Sequence, residues 1–483
     1  MDTATSVKHL RLKFPGDDDL LFKDINLSFQ KGEKVLLLGP SGCGKSTLLQ
    51  VLSGIIPHSV EVPIKSEGIQ NPDKWGFVFQ DPETQFCMPY VDEEIAFVLE
   101  NLQVPREDMP SRIEELLHEA GLHLNDIHTP IQNLSGGMKQ RLAIASVLAL
   151  DPDVIFLDEP TSLIDESGTE QIWETVKKIG EDKTIIIVEH KIELIVDFVD
   201  RIIVFTPEGR ILADGDSSTI FSQYKEKLKQ YGIWYPGAWN EYKKESCSTI
   251  QCMQHNKLYL ESFKGYRNKQ LKISLESTTV HSGEWIMVGG ENGAGKSTLL
   301  LSLMQLIKTS GTYQMNDFTI TKINDLYGLA YLVFQNPEFQ FLTNSVYDEM
   351  TYGLAIDHEI TARAEEILTT FGLATKEKHH PYHLSIGQKR RLSVASAFIQ
   401  LPKVLLLDEP TFGQDSINTF RILEWLENER QKGTIIIMVT HDSEIVQHFG
   451  TRLWEVKNGK VVTDCKINGS LRSKEEHLYE FSL

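Results

Sequence analysis

The sequence predicts an α/β fold present twice in tandem, and three observations predict it. The stretch Gly39-Pro40-Ser41-Gly42-Cys43-Gly44-Lys45-Ser46-Thr47 recurs as Gly290-Glu291-Asn292-Gly293-Ala294-Gly295-Lys296-Ser297-Thr298. Each copy follows an apolar run that reads as a buried strand, Lys34 to Leu38 and Trp285 to Val288, and enters a leucine-rich helix beginning near its lysine. Further on, an apolar strand ending in Asp-Glu also occurs twice, at Asp158-Glu159 and Asp408-Glu409. With 483 residues the chain exceeds a single core, so the repeat divides it into a first domain over 1–240, a linker over 241–254 and a second domain over 255–483.

In chain order, residues 7–38 alternate and then become continuously apolar, with Asp17-Asp18-Asp19 and Lys31-Gly32-Glu33 as turns. Phe14 lies in this opening segment, either as core or as a ring stacked on a nucleotide base, with Phe263 or Tyr266 as its counterpart. In the glycine-rich loop, backbone N–H groups curl around phosphate oxygens and the helix N-terminus adds its positive dipole end. Lys45 or Lys296 reaches the β/γ-phosphates and Ser46 or Ser297 coordinates Mg²⁺, a combination that binds a nucleoside triphosphate. Next, a buried strand ends in Gln80 or Gln335, 35 residues beyond Lys45 and 39 beyond Lys296, followed by a proline turn. A glutamine there can place its carbonyl oxygen on Mg²⁺ or on the attacking water.

A helical region with the acidic-apolar segments Glu93-Glu94-Ile95 and Asp348-Glu349-Met350 leads to Ser135-Gly136-Gly137-Met138 and Ser385-Ile386-Gly387-Gln388. A serine and close-approaching amides at a helix start make a second phosphate surface, or simply a cap. Asp158 and Asp408 each follow that serine by 23 residues and can hold Mg²⁺, while Glu159 and Glu409 can polarise a water for in-line attack. Two β-branched strands then deliver His190 and His441, 32 and 33 residues past the aspartates, as γ-phosphate contacts.

Bulk properties narrow the class. No apolar run reaches bilayer-crossing length and Met1 to Phe14 does not resemble a signal peptide, so a cytoplasmic location is expected. A formal charge of -20 argues against non-specific nucleic-acid binding and suits a partner with basic loops. Five cysteines without metal-ligand spacing, among them Cys43, Cys247 and Cys252, fit a reducing compartment.

Taken together, these motifs resemble, over essentially the whole chain, two ATP-binding-cassette ATPase domains fused in tandem. Gln80-Asp81-Pro82-Glu83-Thr84-Gln85-Phe86 with Asp92-Glu93-Glu94 behind it, and Phe412-Gly413-Gln414-Asp415, are similar to the energy-coupling-factor subgroup of vitamin and metal importers, and the fused pair to importers of hydroxymethylpyrimidine or thiamine precursors. The resemblance implies, in each domain, a mixed, mostly parallel sheet with flanking helices, a β-subdomain and a helical subdomain. It also implies two ATP–Mg²⁺ sites, each shared head to tail between the halves. One combines Lys45, Ser46, Gln80, Asp158, Glu159 and His190 with Ser385, Gly387 and Gln388; the other combines Lys296, Ser297, Gln335, Asp408, Glu409 and His441 with Ser135, Gly136 and Gly137. Asp165 and Asp415 would communicate across that interface.

The implied protein works at the cytoplasmic face of the membrane with two partners, an integral transporter subunit and a substrate-binding membrane subunit. Glu83, Gln85 and Phe86, and Glu338, Gln340 and Phe341, would border grooves for arginine-bearing helices of the transporter subunit, with Asp92 and Asp348 nearby. Met138 and Ile386 depart from the family pattern, which has glutamine and glycine there, so the two sites are expected to hydrolyse unequally. The alternatives are a sugar-importer ATPase and a soluble tandem-cassette translation factor. The short linker and acidic chain disfavour the latter.

Overall fold

The computed structural model describes residues 2–15, 19–162, 164, 166–242 and 256–467. Most of the expected linker, including Cys247 and Cys252, lies outside the described residues, as do Asp17, Asp18 and Asp165. Two compact units divide the chain: Met1–Ala238 with Asp415–Ile417, and Trp239–Gln414 with Asn418–Leu483. The boundary is set by aromatic packing. Tyr242 stacks on Phe420 with ring centroids 4.4 Å apart and Trp239 meets the same ring edge-on at 5.1 Å, so both side chains belong to the second unit's core.

In the first unit, the parallel strands are almost wholly apolar because both faces are covered, which is what a parallel sheet requires. Their spatial order is Ile211–Gly215, Arg201–Phe205, Lys34–Leu38, Thr184–Val188, Val154–Asp158 and Trp75–Val78, with only the first pair antiparallel. Parallel alignment sends the ends of Lys34–Leu38, Thr184–Val188, Val154–Asp158 and Trp75–Val78 to one edge of the sheet, where ligands of open α/β sheets bind. A separate antiparallel sheet centres on Thr3–Leu12, which pairs with Phe22–Gln30, Ile64–Lys65 and Gly68–Gln70.

The second unit repeats the parallel order with Arg452–Lys457, Trp285–Gly289, Ile435–Val439, Val404–Asp408 and Ala330–Val333. Here the antiparallel layer is continuous with it through a parallel pairing of Ser274 with Lys460, giving ten strands in one sheet.

A half-buried ionic brace, with no short motif to mark it in the sequence, occurs in both units. Arg201 grips Asp214 through two bonds of 2.5 and 2.6 Å and reaches Glu33 at 3.2 Å and the Ser28 carbonyl at 3.1 Å. Arg452 does the same to Asp464, at 2.5 and 2.8 Å, and to Glu284 and the Thr279 carbonyl. Each guanidinium therefore fastens the antiparallel layer to the parallel one with charge-assisted bonds.

Two length differences separate the repeats. One continuous strand, Lys308–Met315, pairs with Lys257–Arg267 where the first unit has the two short strands Ile64–Lys65 and Gly68–Gln70, and it turns back into an added short strand, Phe318–Thr319, in the longer stretch before Gln335. Helix Val91–Asn101 has 11 residues whereas Val346–Thr351 has 6, so the lysine-to-serine interval ends at 89 residues in the second unit against 90 in the first.

Candidate active site

Each phosphate loop is shaped by glycines with left-handed backbones. Gly44 (φ 98°) and Gly295 (φ 112°) stand immediately before the helices Lys45–Ser53 and Lys296–Leu303. A side chain at Gly44 would also strike the Phe22 ring, at 2.8 Å. Only glycine meets both demands cheaply. Lys45 Nζ donates to the carbonyls of Gly39 and Pro40 at 2.7 and 3.1 Å, and Lys296 makes the matching pair with Gly290 and Glu291. Cys43 is buried behind the loop, and burial pushes its thiol pKa up.

The strand ends bring the expected residues together. Ser46 Oγ donates to Asp158 Oδ1 at 2.8 Å, Gln80 Nε2 donates to Glu159 Oε2 at 2.8 Å, and His190 Nε2 lies 3.1 Å from Glu159 Oε1. In the second unit Ser297 bonds Asp408, and His441 Nε2 is 3.6 Å from Glu409 Oε1. A cavity of about 220 Å³ is lined there by Asn292, Gly293, Gly295, Lys296, Ser297, Thr298, Gln335, Asp408, Glu409 and His441, beside Val439. Ser385, Gly387 and Gln388 are not among its lining residues.

Glu159 and Glu409 both adopt left-handed backbones, φ 46° and 52°, which is uncommon outside glycine and concentrates at functional sites. Each is pinned by its own N–H, which donates to Val188 or Val439 of the neighbouring strand. Electrostatics follow from burial. Burial raises the Asp158 carboxyl to about 6, opposed by the Ser46 hydroxyl and reinforced by the charge of Glu159. Burial pushes Asp408 up as well. For Glu159 burial also pushes upward, yet the facing His190, with help from Lys45, holds the carboxyl below its ordinary value. It is thus kept ionised beside a neighbour that is not fully so.

Among the described residues no group of three or more His, Cys, Asp or Glu forms a protein-only metal cage. One serine hydroxyl and one carboxylate per site is what Mg²⁺ uses when it keeps waters and takes its other ligands from substrate phosphates.

The Ser-Gly motifs act first as helix starts. Ser135 caps Gly136–Leu148 by accepting from the Met138 N–H. Ser385 caps Ile386–Gln400 in a capping box in which Gln388 Oε1 accepts from the Ser385 N–H at 3.0 Å. Ile386 is 65% exposed, so its added bulk stands on the surface at the first turn rather than in the core.

Of the candidate base-stacking residues, Phe263 is 1% exposed and belongs to the core, which leaves Tyr266, half-buried and bonded to Ser310. Phe14 packs partly buried against the first unit's core.

The acids expected in the grooves already have partners. Glu83 is paired with Lys139, and Glu338 with Lys389 at 2.6 Å, both lysines coming from the Ser-Gly helices. Asp92 bonds His128 at 3.1 Å and Asp348 accepts from Ser345 Oγ at 2.7 Å. Phe341 is buried and anchors its turn. The sequence reading missed these lysines, although both recur at the same place in the repeat. It also missed Glu189, fully buried next to His190, whose only signal was adjacency to that histidine.

The family described as ABC transporter matches residues 22–162 and 275–412. A protein of Bacillus subtilis (strain 168) named "Putative HMP/thiamine import ATP-binding protein YkoD" is 37% identical over 93% of this chain and 89% of its own length. A Methanosarcina mazei protein named as an ABC transporter ATP-binding protein is 32% identical over 96% of this chain and 89% of its own. Among solved structures, the archaeal ribosome recycling factor aABCE1, in complex with the stalk protein aP1, superposes with TM-score 0.67 at 18% identity, covering 98% of this chain and 92% of that one. The RNase-L inhibitor gives 0.66 at 19%, covering 96% and 92%. At such identities the two structures speak for the fold alone.

Proposed function

This chain belongs to the ABC transporter family as a tandem pair of ATP-binding cassettes, and we propose that it is the ATP-hydrolysing subunit of a membrane importer of the energy-coupling-factor type, taking up a vitamin, a thiamine precursor or a metal ion. The observation that carries the import reading is the 37% identity, across nearly the whole chain, to a protein named for hydroxymethylpyrimidine and thiamine import. ATP hydrolysis itself follows from the family.

In this reading the loop amides and Lys45 or Lys296 bind the β/γ-phosphates. Ser46 with Asp158, and Ser297 with Asp408, hold Mg²⁺, with Gln80 and Gln335 beside it. The ion neutralises charge on the transferred phosphoryl group. Glu159 and Glu409 orient and polarise the attacking water, and His190 and His441 contact the γ-phosphate. Ser135, Gly136 and Gly137, and Ser385, Gly387 and Gln388, complete the nucleotide site of the opposite half.

No helix among the described residues is long and apolar enough to cross a membrane. In this reading the substrate path belongs to other subunits, an integral transporter subunit and a substrate-binding one. Work is done by cycling between two arrangements of the halves.

The test is uptake. Cells lacking the gene are given labelled hydroxymethylpyrimidine, thiamine and cobalt in turn, and complemented with wild type or with the Glu159→Gln, Glu409→Gln double variant. Loss of uptake of one compound, restored by wild type only, supports the reading. Unchanged uptake of every compound, with the protein sedimenting on ribosomes, would replace it with the translation-factor alternative.

A further inference from the structure

The two units brace their strand-end glutamates differently. In the second unit Arg390, 5% exposed, donates through Nη1 to the Glu409 carbonyl at 2.7 Å, with its guanidinium 5.5 Å from the Phe412 ring centroid. The same carbonyl accepts from the Phe412 N–H at 3.3 Å. Arg391 Nη1 donates to Gln414 Oε1 at 3.4 Å, and Gln414 Nε2 donates to the Gly387 carbonyl at 3.3 Å. Three side-chain bonds therefore run from the turn after Glu409 to the first two turns of helix Ile386–Gln400.

In the first unit the Ser162 N–H likewise donates to the Glu159 carbonyl, at 3.1 Å, but the side chains at the Arg390 and Gln414 positions differ. Gln140 stands at the position of Arg390; it is 2% exposed and its Nε2 makes no hydrogen bond among the described residues. Ile164 stands at the position of Gln414, a buried apolar side chain beside Gly137. The brace is instead an acid. Glu189, 3% exposed, accepts from Thr161 Oγ1 at 2.7 Å, from the His190 N–H at 2.7 Å and from the Lys191 N–H at 3.3 Å. It ties the turn after Glu159 to the turn that carries His190. The second unit has Thr440 there, whose hydroxyl accepts from the Asp442 N–H at 3.1 Å.

We propose that Arg390 and Glu189 are positioning residues of opposite charge, one locking Glu409 to the Ser-Gly helix of its own unit and the other locking the Glu159 turn to the His190 turn. The two catalytic centres are then built to follow different motions: the second moves with its Ser-Gly helix, the first with its histidine turn. Left-handed glutamates need such support, because the conformation persists only where surrounding bonds over-determine it. The proposal rests on Glu159 and Glu409 being the water-polarising residues.

The test isolates each centre. In a Glu159→Gln background, where only Glu409 acts, Arg390→Gln should cut single-turnover hydrolysis about ten- to a hundredfold, the scale of a small misplacement, with KM for ATP within about twofold. In a Glu409→Gln background the same substitution acts only through the start of helix Ile386–Gln400, which Arg391, Gln414 and the Ser385 capping box still hold, and should cost several-fold less. Glu189→Ala should show the reverse selectivity. Arg390→Lys, which keeps one donor for the carbonyl, should give a milder loss confined to the Glu159→Gln background, and it decides the matter if Arg390→Gln does not fold. Equal losses in both backgrounds, or a loss entirely in KM, would overturn the proposal. Full turnover in the Glu159→Gln, Glu409→Gln double variant would remove both the proposal and the catalytic assignment beneath it.

Discussion

Replacing Asp158 with asparagine should make the first unit more stable while ending its Mg²⁺-dependent hydrolysis. Asp158 is 6% exposed, and burial raises its pKa from an ordinary 3.8 to about 6. A raised acid favours its protonated form in the folded state, so ionising it costs stability. That cost is absent at low pH, grows as pH rises from about 4 and is complete above about 6. The interval corresponds to about 3 kcal/mol at neutral pH. Asparagine still accepts from Ser46 Oγ but brings a buried amide of its own, which offsets about half, leaving a gain of about 1–2 kcal/mol. For a unit of this size that raises the melting transition by roughly 3–6 °C. The assay is thermal and urea unfolding of both proteins in EDTA at pH 7.5 and pH 5, followed by ATPase measurement with Mg²⁺. At pH 5 the ionisation cost falls to about half while the amide penalty stays, so the gain should nearly vanish. A loss of stability at pH 7.5, or a gain of the same size at both pH values, would refute the reasoning, because neither is compatible with a carboxylate that pays for burial only when ionised.

Other outcomes follow from the same geometry. The Glu159→Gln, Glu409→Gln double variant should bind a fluorescent ATP analogue normally and hydrolyse about 10²–10⁴-fold more slowly; near-normal turnover removes the water-polarising role. Arg452→Ala strands Glu284 and Asp464 in a half-buried site, so the second unit should lose about 2–3 kcal/mol in urea unfolding, below the value for a fully buried pair; a change under about 0.5 kcal/mol would mean the brace contributes nothing. Glu83→Arg with Glu338→Arg sets two cations against Lys139 and Lys389, so ATP binding should persist while recovery with a membrane subunit or substrate uptake is lost. Unchanged assembly and uptake on one preparation would exclude these carboxylates as coupling contacts.

The phosphate loops, the Asp-Glu strands and the histidines were legible because their chemistry demands particular residue types at strand ends, and strand ends are visible as apolar runs. The contact between His190 and Glu159 joins two such ends on adjacent parallel strands. What could not be read depends on how helices rotate and on distant pairings. Gln140 and Arg390 look like solvated helix residues until the helix start buries both and sets Arg390 against the Glu409 carbonyl. Arg201 and Glu33 are 168 residues apart and meet only because their strands are neighbours. Phe263 and Tyr266 could not be separated by pattern, since a register shift lies beside Tyr266 and breaks the alternation that would have sorted them.

The continuity of the second unit's sheet has a mechanical side. In the first unit no strand pairing among the described residues joins the two sheets, so a tilt of the antiparallel layer against the parallel one would slide side chains and stretch the Arg201 contacts. In the second, the pairing of Ser274 with Lys460 adds a backbone hydrogen bond that the same tilt would have to stretch. That single seam, with the Ser274 N–H on the Gly459 carbonyl at 2.8 Å, makes the layers of the second unit one hydrogen-bonded surface, so a strain set up in one layer has a backbone route into the other.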